Sequence, residues 1–286
     1  MCGIFGIIHL DGSPADPALM PRMGAITRHR GPDDEGWHHD GNCLIGMRRL
    51  SIIDLAGGHQ PLTNEDRTLW LVCNGEVYNF RELRAELTAA GHRFLTGSDC
   101  EVILHGYEQW GDDFLQRLNG MYNFALWDAR RRRLLIGRDR IGVKPLYWRR
   151  DGQRLAFATE AKALLALPGV TAAVDSVSLA SYLNLGYVSA PRSMFEGIHK
   201  LPVATVMSVE MGEVVPRRYW QPPDRTESGV GEDEWAERIR TGIDRAVRMQ
   251  MVSDVPIGAF LSGGIDSSAV VAAMAGATTS GLTTIS

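Results

Sequence analysis

A polar stretch with two prolines and two glycines, over residues 221–231, divides the chain into two parts with different patterns. The longer part before it carries many short apolar runs of strand length and few helix-like segments. The shorter part after it alternates helix and strand patterns. Irregular polar segments of this kind are where domain boundaries usually fall. We therefore predict one domain over residues 1–210, a linker over 211–231 and the beginning of a second domain over 232–286.

The first domain has several short apolar runs that are typical of strands, over residues 69–73, 122–127, 134–137 and 155–158. Two helices are predicted beside them. One covers residues 79–91, and the other begins with the capping-box pattern of residues 98–101 and ends at Gly111. Strands that are grouped apart from helices favour a layered α+β fold over alternating βαβ units.

The second part begins with an acidic helix start at residues 232–234, followed by apolar residues at four-residue spacing. Residues 257–261 are typical of a buried strand, residues from 266 onward of a helix, and residues 282–286 of a further strand. This is the opening of a βαβ unit. One or two parallel strands cannot bury the faces of a sheet, so we expect this domain to be truncated or to depend on another chain.

The composition excludes several classes of partner. The formal net charge is −4, and no run of about 18 apolar residues occurs, so we expect neither nucleic-acid binding nor membrane association. The four arginines at 130–133 lie between two apolar runs, and we interpret them as a solvated hairpin turn.

The amino terminus lacks the charged and apolar regions of a signal peptide. The four cysteines, Cys2, Cys43, Cys73 and Cys100, show neither zinc-ligand spacing nor a disulfide framework. These two observations predict a cytoplasmic protein.

Cys2 follows Met1 directly and precedes an apolar run over residues 3–8. If Met1 is removed, which a small second residue favours, Cys2 carries a thiol and a free α-amine side by side. An α-amine has a pKa of about 7.7–8.0 and is partly neutral at physiological pH, so it can serve as the base for the thiol. Cys2 is therefore a candidate nucleophile, although its position alone does not decide the matter.

Asn74, Gly75 and Glu76 place an amide, a glycine and a carboxylate side by side at the end of a predicted strand. A thiolate that attacks a carboxamide forms a tetrahedral oxyanion, which needs hydrogen-bond donors fixed in advance. The Asn74 side chain and the Gly75 backbone N–H are two such donors. An ordinary Asn-Gly hairpin turn is the alternative.

Charged residues nearby suit an amino-acid substrate. Arg48 and Arg49 stand at the start of an apolar run, and a guanidinium group is a natural partner for an α-carboxylate. The residues alone do not choose between these two arginines. Glu76 and Asp99 suit an α-ammonium group, but Asp99 is equally explained as an acidic residue favoured by a helix dipole.

Residues 261–268, Leu-Ser-Gly-Gly-Ile-Asp-Ser-Ser, read as strand, small-residue turn and helix start. Glycines let backbone N–H groups approach a phosphate closely, and a helix amino terminus favours its negative charge. The spacing and lysine of a Walker A loop are absent. A phosphate-binding loop and a generic Gly-Gly turn both remain open.

Taken together, these segments resemble the glutamine-dependent asparagine synthetase family of class II amidotransferases. The matching stretches occur in the family's order and span nearly the whole chain, at residues 2–6, 28–33, 49–54, 74–79, 97–101, 137–147 and 262–268.

The resemblance implies a four-layer αββα N-terminal-nucleophile glutaminase domain, followed by the start of an α/β ATP-pyrophosphatase domain of the adenine nucleotide alpha hydrolase-like type. It implies that Cys2 is the nucleophile, that Asn74 and Gly75 form the oxyanion hole, and that Arg49 takes the glutamine α-carboxylate. The glutamine site is implied to comprise Arg49, Leu50, Ser51, Ile52, Ile53, Asn74, Gly75, Glu76 and Asp99.

For the second domain the resemblance implies an ATP site formed by Leu261, Ser262, Gly263, Gly264, Asp266, Ser267 and Ser268. Asp266 is then a carboxylate for Mg²⁺. ATP would activate aspartate as an acyl-adenylate, and ammonia from glutamine would convert it to asparagine with release of AMP and pyrophosphate.

Members of the family run several hundred residues further than Ser286, and their acceptor pocket lies in that part. Glutamine, aspartate and ATP are thus the expected small-molecule partners, and the resemblance is compatible with a homodimer. Two alternatives remain: a related amidotransferase with another carboxylate acceptor, or a truncated chain that is only a glutaminase or a non-catalytic glutamine-binding subunit.

Overall fold

The computed structural model describes residues 1–224, 226–278 and 281–286. Arg225 of the predicted linker, and Thr279 and Ser280 of the predicted second domain, lie outside the described residues. Contacts between Cα atoms divide the chain into two units. The first comprises Met1–Ser51 and Ala56–Gln221, and the second comprises Ile52–Leu55 and Pro222–Ser286. Within the described ranges, no helix combines the length and apolarity that a bilayer crossing requires.

The first unit contains twelve strands in two six-stranded antiparallel sheets. The first sheet has the order β10-β8-β9-β1-β3-β2 and the second the order β12-β11-β7-β6-β5-β4. The strands are β1 (Gly3–His9), β2 (Asp34–Asp40), β3 (Cys43–Arg49), β4 (Leu62–Thr63), β5 (Leu69–Val77), β6 (Gly120–Asp128), β7 (Arg133–Arg138), β8 (Tyr147–Asp151), β9 (Arg154–Ala158), β10 (His199–Lys200), β11 (Thr205–Glu210) and β12 (Glu213–Arg218).

Strand β1 shows why both faces of the first sheet are buried. Successive side chains of a strand point to opposite faces. Ile4 and Ile8 pack with Val72 and Trp127 of the second sheet, whereas Phe5 belongs to a separate apolar cluster on the other face. The chain therefore has one core between the sheets and another on the outer face of the first sheet.

Helices cover the outer faces of both sheets, since α1 and α5 contact the first sheet and α3 contacts β5 of the second. This gives the layer order helix, sheet, sheet, helix, so the predicted four-layer α+β architecture is confirmed. The helices of this unit are α1 (Leu19–Thr27), α2 (Phe80–Ala89), α3 (Glu101–Trp110), α4 (Phe114–Arg117), α5 (Ala161–Leu165) and α6 (Ser176–Leu185).

The capping-box interpretation of residues 98–101 is wrong. Helix α3 begins at Glu101, and the residue before it, Cys100, makes no side-chain cap. The Ser98 hydroxyl accepts the Cys100 N–H, and the Glu101 carboxylate turns back to accept the N–H groups of Leu95 and Thr96. Glu101 therefore shapes the loop before the helix instead of capping it.

The solvated hairpin turn predicted for the four arginines is confirmed for three of them and the four predicted strands are present. Residues 130–132 form the exposed turn between β6 and β7, whereas Arg133 begins β7, is 8% exposed and pairs with Asp112 at 2.7 Å, so its assignment to the solvated turn was wrong. The four apolar runs predicted as strands lie within β5, β6, β7 and β9.

The second unit contains a parallel pair of strands, β13 (Gly258–Phe260) and β14 (Thr283–Ile285). Helix α7 (Glu232–Gln250) precedes them, and α8 (Ile265–Ala277) connects them. A helix between two parallel strands is a βαβ unit, as predicted for this part of the chain. Helices α7 and α8 pack against each other.

Candidate active site

Cys2 lies at the start of β1, where its sulfur meets the backbone of Leu50 just beyond β3. The Leu50 N–H donates to Cys2 Sγ at 3.3 Å, and the thiol lies 3.5 Å from the Leu50 carbonyl oxygen. Burial raises the pKa of the Cys2 thiol, while the Leu50 N–H and the positive charges of the amino terminus and Arg49 act in the opposite direction. The sulfur is thus held between a backbone donor and a backbone acceptor.

Arg30 holds the backbone of Cys2 in place. Its Nε donates to the Cys2 carbonyl oxygen at 2.8 Å, and its Nη1 pairs with Glu160 at 2.9 Å. Arg30 belongs to the matching stretch 28–33, but residue types alone gave it no role. Only the folded chain reveals it, because the two residues are 28 positions apart.

Residues of the stretch 28–33 also contact the end of β3 and the backbone just after it. Asp33 donates its N–H to the Arg49 carbonyl at 3.2 Å, and its carboxylate accepts the Ser51 N–H at 2.9 Å. A Cβ on Gly31 would lie 2.3 Å from the Arg48 carbonyl carbon, so only glycine allows this approach. Gly31 and Asp33 are therefore supporting residues that the sequence patterns did not single out.

The structure separates the two candidate arginines. Neighbouring strand residues face opposite sides of a sheet. Arg48 donates to the Gly24 carbonyl and forms an ion pair with Glu35, so its side chain is committed to α1 and β2. Arg49 is 6% exposed and lies near enough to Cys2 to lower the pKa of the thiol. Of the two, Arg49 is the one whose charge acts on the Cys2 thiol.

Asn74 is inside β5, so the alternative of an Asn-Gly hairpin turn is wrong. Its side chain is 1% exposed, and its Nδ2 finds no hydrogen-bond acceptor among the described residues. Asn123 stands directly opposite on β6, where its Nδ2 donates to the Pro145 carbonyl at 2.7 Å. A buried amide donor without an acceptor costs free energy unless a ligand supplies one.

Gly75 follows at a point where the two strands approach each other closely. A Cβ at this position would lie 2.0 Å from the Met121 carbonyl oxygen and 2.5 Å from the Tyr122 Cα. Only glycine can occupy such a position without moving β6. Cys73, the residue before Asn74, is near enough to Cys2 to raise the pKa of its thiol. This part of β5 therefore lies near the candidate nucleophile.

Two carboxylates lie at the end of this strand, Glu76 within β5 and Asp99 in the loop before α3. Asp99 is 5% exposed and accepts the Val77 N–H at 2.7 Å, so it is not a solvated first-turn residue. Burial raises the pKa of Glu76, and the neighbouring Asp99 raises it further. In the described chain neither carboxylate forms an ion pair with an arginine or lysine, although Lys144 is near enough to lower the pKa of Glu76. A buried carboxylate next to a partly buried one favours a cation beside them.

The remaining residues of the predicted glutamine site divide between the two units. Leu50 and Ser51 belong to the first unit with Arg49, whereas Ile52 and Ile53 belong to the second. The Ile52 carbonyl accepts the Asp254 N–H at 3.0 Å within that second unit. The structure thus groups Ile52 and Ile53 with residues 222–286.

The predicted ATP loop forms one continuous strand-turn-helix segment in the second unit. Leu261 donates its N–H to Ile285 at 2.8 Å, Gly263 takes a positive φ of 79°, and Gly264 precedes the first residue of α8. The Ser262 and Ser267 hydroxyls lie 3.1 Å apart. Asp266 is an exposed carboxylate in the first helical turn, and Ser268 follows on the same helix. The segment offers N–H and O–H donors to an anion.

The first unit therefore brings together a thiol, a buried amide donor, an arginine and two carboxylates. A thiol can attack a carboxamide, an amide donor can stabilise the resulting oxyanion, and the charged groups match the two ends of an α-amino acid.

Comparisons with known proteins agree with this chemistry. The family model described as "Glutamine amidotransferase domain" matches residues 1–220, and the model described as "Asparagine synthase" matches residues 238–286. The chain is 38% identical over 280 residues to asparagine synthetase [glutamine-hydrolyzing] 3 of Bacillus subtilis, covering 96% of this chain and 45% of that protein. It is 37% identical over 275 residues to asparagine synthetase [glutamine-hydrolyzing] 2 of Arabidopsis thaliana, covering 95% and 42%.

Among solved structures, the glutamine phosphoribosylpyrophosphate amidotransferase of B. subtilis, complexed with ADP and GMP, is similar at a TM-score of 0.55 and 18% identity. The alignment covers 99% of this chain and 65% of that chain. This likeness concerns the fold alone. The chain spans about half the length of the curated relatives it matches. On the match over residues 1–220, the chain belongs to the glutamine amidotransferase family.

Proposed function

We propose that the first unit hydrolyses glutamine to glutamate and ammonia, with Cys2 as the nucleophile. In this proposal Asn74 and Gly75 stabilise the oxyanion, Arg49 binds the α-carboxylate, and Glu76 and Asp99 bind the α-ammonium group. The backbone of residues 50–53 contributes to the same pocket. For Ile52 and Ile53 the resemblance alone supports this role.

The observation that carries the proposal is the buried Asn74 side chain, whose Nδ2 lacks an acceptor among the described residues. Its cost is explained if the acceptor is the oxyanion of a bound substrate. Gly75 supports the same interpretation, because its close approach to β6 holds its own backbone N–H in one position.

The chemistry follows from these groups. After removal of Met1, the neutral α-amine of Cys2 takes the thiol proton, and the sulfur attacks the glutamine side-chain carbonyl carbon. Collapse of the tetrahedral intermediate breaks the carbon–nitrogen bond, and the amine returns its proton to the leaving group, which departs as ammonia. Water then adds to the thioester through a second oxyanion, the carbon–sulfur bond breaks, and glutamate and the free thiol result.

We further propose that this ammonia serves an ATP-dependent synthesis of asparagine from aspartate, performed in the cytoplasm. The ATP loop at residues 261–268 would hold the phosphates. Mg²⁺ in nucleotide sites is held by one or two carboxylates and by phosphate oxygens, and the single carboxylate of Asp266 fits that demand. Mg²⁺ would neutralise phosphate charge there. A homodimer remains a prediction, which light scattering tests.

The test of the glutaminase proposal measures glutamate and ammonia release by the purified chain, with the mature amino terminus determined by mass spectrometry. We expect Cys2→Ala to lose activity by a factor of at least about 10³ while it still binds glutamine in calorimetry. The buried Cys43, which lies in the core between the sheets, gives the matched control Cys43→Ala, which keeps its turnover.

Three outcomes would contradict parts of the proposal. Unchanged glutamate release from Cys2→Ala would exclude Cys2 as the nucleophile. Glutamine binding without hydrolysis by a chain whose Met1 is removed would favour a non-catalytic glutamine-binding subunit. Ammonia-dependent conversion of ATP to AMP with another carboxylate, but not with aspartate, would favour a related amidotransferase.

A further inference from the structure

His105 is a buried histidine enclosed by carboxylates on helix α3. It is fully buried, its Nδ1 lies 2.8 Å from Glu108 Oε2, and its Nε2 lies 3.5 Å from Glu101 Oε1. The ring of Phe94 packs edge-on against it, with 4.6 Å between ring centroids. A histidine between two carboxylates is favoured in its charged form, so this geometry favours His105 as an imidazolium ion that pairs with both of them.

Glu101, one of these carboxylates, organises the loop before the helix. Its Oε1 accepts the Leu95 N–H at 2.6 Å, and its Oε2 accepts both the N–H and the hydroxyl of Thr96, at 2.8 and 2.6 Å. The Thr96 hydroxyl in turn accepts the Ser98 N–H at 3.1 Å. Because Glu101 is itself fully buried, it needs the positive charge of His105 to remain ionised there.

The loop so organised leads directly to Asp99. Arg84 of α2 clamps it from the other side by donating to the carbonyl oxygens of Thr96 and Ser98, at 2.8 and 2.9 Å. Asp99 then reaches β5, where it accepts the Val77 N–H at 2.7 Å. The ion pair between His105 and Glu101 is therefore followed by hydrogen bonds from Glu101 through Thr96 to the residue before Asp99.

We propose that His105 is a positioning residue for glutamine, which acts through Glu101 and the loop of residues 95–98 to hold Asp99 where it receives the substrate's α-ammonium group. The inference rests on the proposed function, because it takes Asp99 as part of the glutamine site. It assigns His105 to substrate binding and not to the chemical step, since no contact in this set reaches Cys2.

A metal site at the same place is less consistent with the contacts. His92, His105 and Glu108 offer ligand atoms within 4.8 Å of one another. However, His105 Nδ1 already makes a 2.8 Å hydrogen bond to Glu108, and Glu108 also accepts a hydrogen bond from Asn64 at 2.8 Å. An imidazolium ion has no free lone pair for a metal. The cluster is therefore complete as an ion network.

The charged form of His105 should persist to alkaline pH. The groups that face it are Glu101 and Glu108 on its own helix and His92 beside it, with Arg84 of α2 behind Phe94. Burial alone would lower the pKa of His105, but the two carboxylates raise it to about 9. The positioning effect is then complete at neutral pH and is lost as the pH rises through about 9.

The experiment measures the dissociation constant of glutamine by calorimetry in the Cys2→Ala background, where the ligand is not consumed. At pH 7.5, His105→Gln should weaken binding about tenfold, and Thr96→Val, which removes the two hydrogen bonds of the Thr96 hydroxyl and leaves the histidine in place, about threefold. The matched control is His92→Gln, whose ring also contacts Glu108 but not Glu101, and which should stay within about twofold of the parent.

The pH dependence separates positioning from a general loss of structure. Between pH 7.5 and 10, the ratio of the dissociation constants of His105→Gln and its parent should fall toward one, and titration of glutamine itself cancels in this ratio. With Cys2 present, kcat of His105→Gln should remain within about twofold. Three results would overturn this inference and leave the proposed function intact. They are a ratio that does not change with pH, an effect of His92→Gln equal to that of His105→Gln, and unchanged binding in both His105→Gln and Thr96→Val. Absence of glutamine binding in the parent overturns it together with the proposed function.

Discussion

The amide nitrogen of Leu50 lies 3.3 Å from the sulfur of Cys2, and the carbonyl oxygen of Leu50 lies 3.5 Å from the same atom. The two residues are 48 positions apart in the chain. The sulfur at the start of the first strand is therefore oriented by the backbone that leaves β3, and Arg30 fixes the Cys2 carbonyl from the other side. A nucleophile at a chain terminus gains a defined position only through such tertiary contacts.

This environment predicts slow thiol labelling at neutral pH. Burial raises the pKa of Cys2, so in the chain that retains Met1 the thiol form dominates at pH 7. The fraction of reactive thiolate then increases only at a pH above the ordinary pKa of a cysteine thiol. We expect the rate of iodoacetamide labelling to keep rising beyond pH 9, measured by mass spectrometry after expression with methionine aminopeptidase inhibited. Cys2→Ser provides the background rate. A plateau below pH 8 would show that the pKa is lowered instead.

The close approach at Gly75 predicts a large loss of stability on substitution. In Gly75→Ala the new methyl group would overlap the Met121 carbonyl oxygen, so β5 and β6 must separate. We expect the free energy of unfolding of this unit to fall by about 3 kcal/mol or more, measured by urea denaturation. Gly24→Ala is the control, because a Cβ there makes ordinary contacts in a helix and should be neutral or stabilising. Equal stability of the two variants would contradict the prediction.

Much of the fold was predictable from local patterns. Short apolar runs identify β5, β6, β7 and β9, and the helix of residues 80–89 follows from Asn79 at its start and Gly91 after its end. Such patterns depend on neighbours in the chain, which a sequence contains directly. The Glu101 carboxylate was misread because a capping box and a loop-shaping carboxylate share the same local pattern, and only the contacts of Leu95 and Thr96 distinguish them.

The candidate site was predictable in part. The residue types of Cys2, Asn74 and Gly75 were enough to predict candidate roles for them as nucleophile and hydrogen-bond donors. Residue types alone did not choose between Arg48 and Arg49, and the choice of Arg49 came from the family resemblance. The folded chain adds that the Arg48 side chain is held by Glu35 and by the Gly24 carbonyl of α1. Arg30 contacts a residue that is distant in sequence, so residue spacing gives no signal for it. The helical spacing of Glu101, His105 and Glu108 is visible in the sequence, but the complete burial of His105 is not.

The opposite faces of β3 predict different effects for the two arginines. Arg49→Lys should raise the KM for glutamine about tenfold or more, because lysine cannot offer the two-pronged donor geometry that a carboxylate accepts. Arg48→Lys should leave KM within about twofold and lower the urea midpoint, because its contacts are with Gly24 and Glu35. Steady-state kinetics and denaturation of both variants provide the comparison. A larger rise in KM for Arg48→Lys would reverse the assignment.

The Arg30–Glu160 pair predicts a specific loss of stability in acid. Although burial raises the pKa of Glu160, hydrogen bonds from Arg30, His29 and Lys162 lower it to about 2. A carboxylate whose pKa is lowered by folding contributes its full stability when the pH is above the pKa in the unfolded chain, which is near 4.5. This contribution is lost as the pH falls from 4.5 through about 2. Because Arg30 also holds the Cys2 carbonyl, protonation of Glu160 should loosen the amino-terminal strand in the same interval.

Urea denaturation between pH 6 and pH 2.5 measures this contribution. Glu160→Gln should be less stable than the unsubstituted chain at pH 6, and the difference should narrow as the pH falls from about 4.5 to 2.5, because the carboxyl takes up its proton in the unfolded state first. Glu86→Gln is the matched control: Glu86 pairs with Arg117 on the surface, where exposed ion pairs contribute little, so its difference from the unsubstituted chain should be small at every pH. A difference for Glu160→Gln that stays constant down to pH 2.5 would show that the carboxylate contributes through packing and not through its charge.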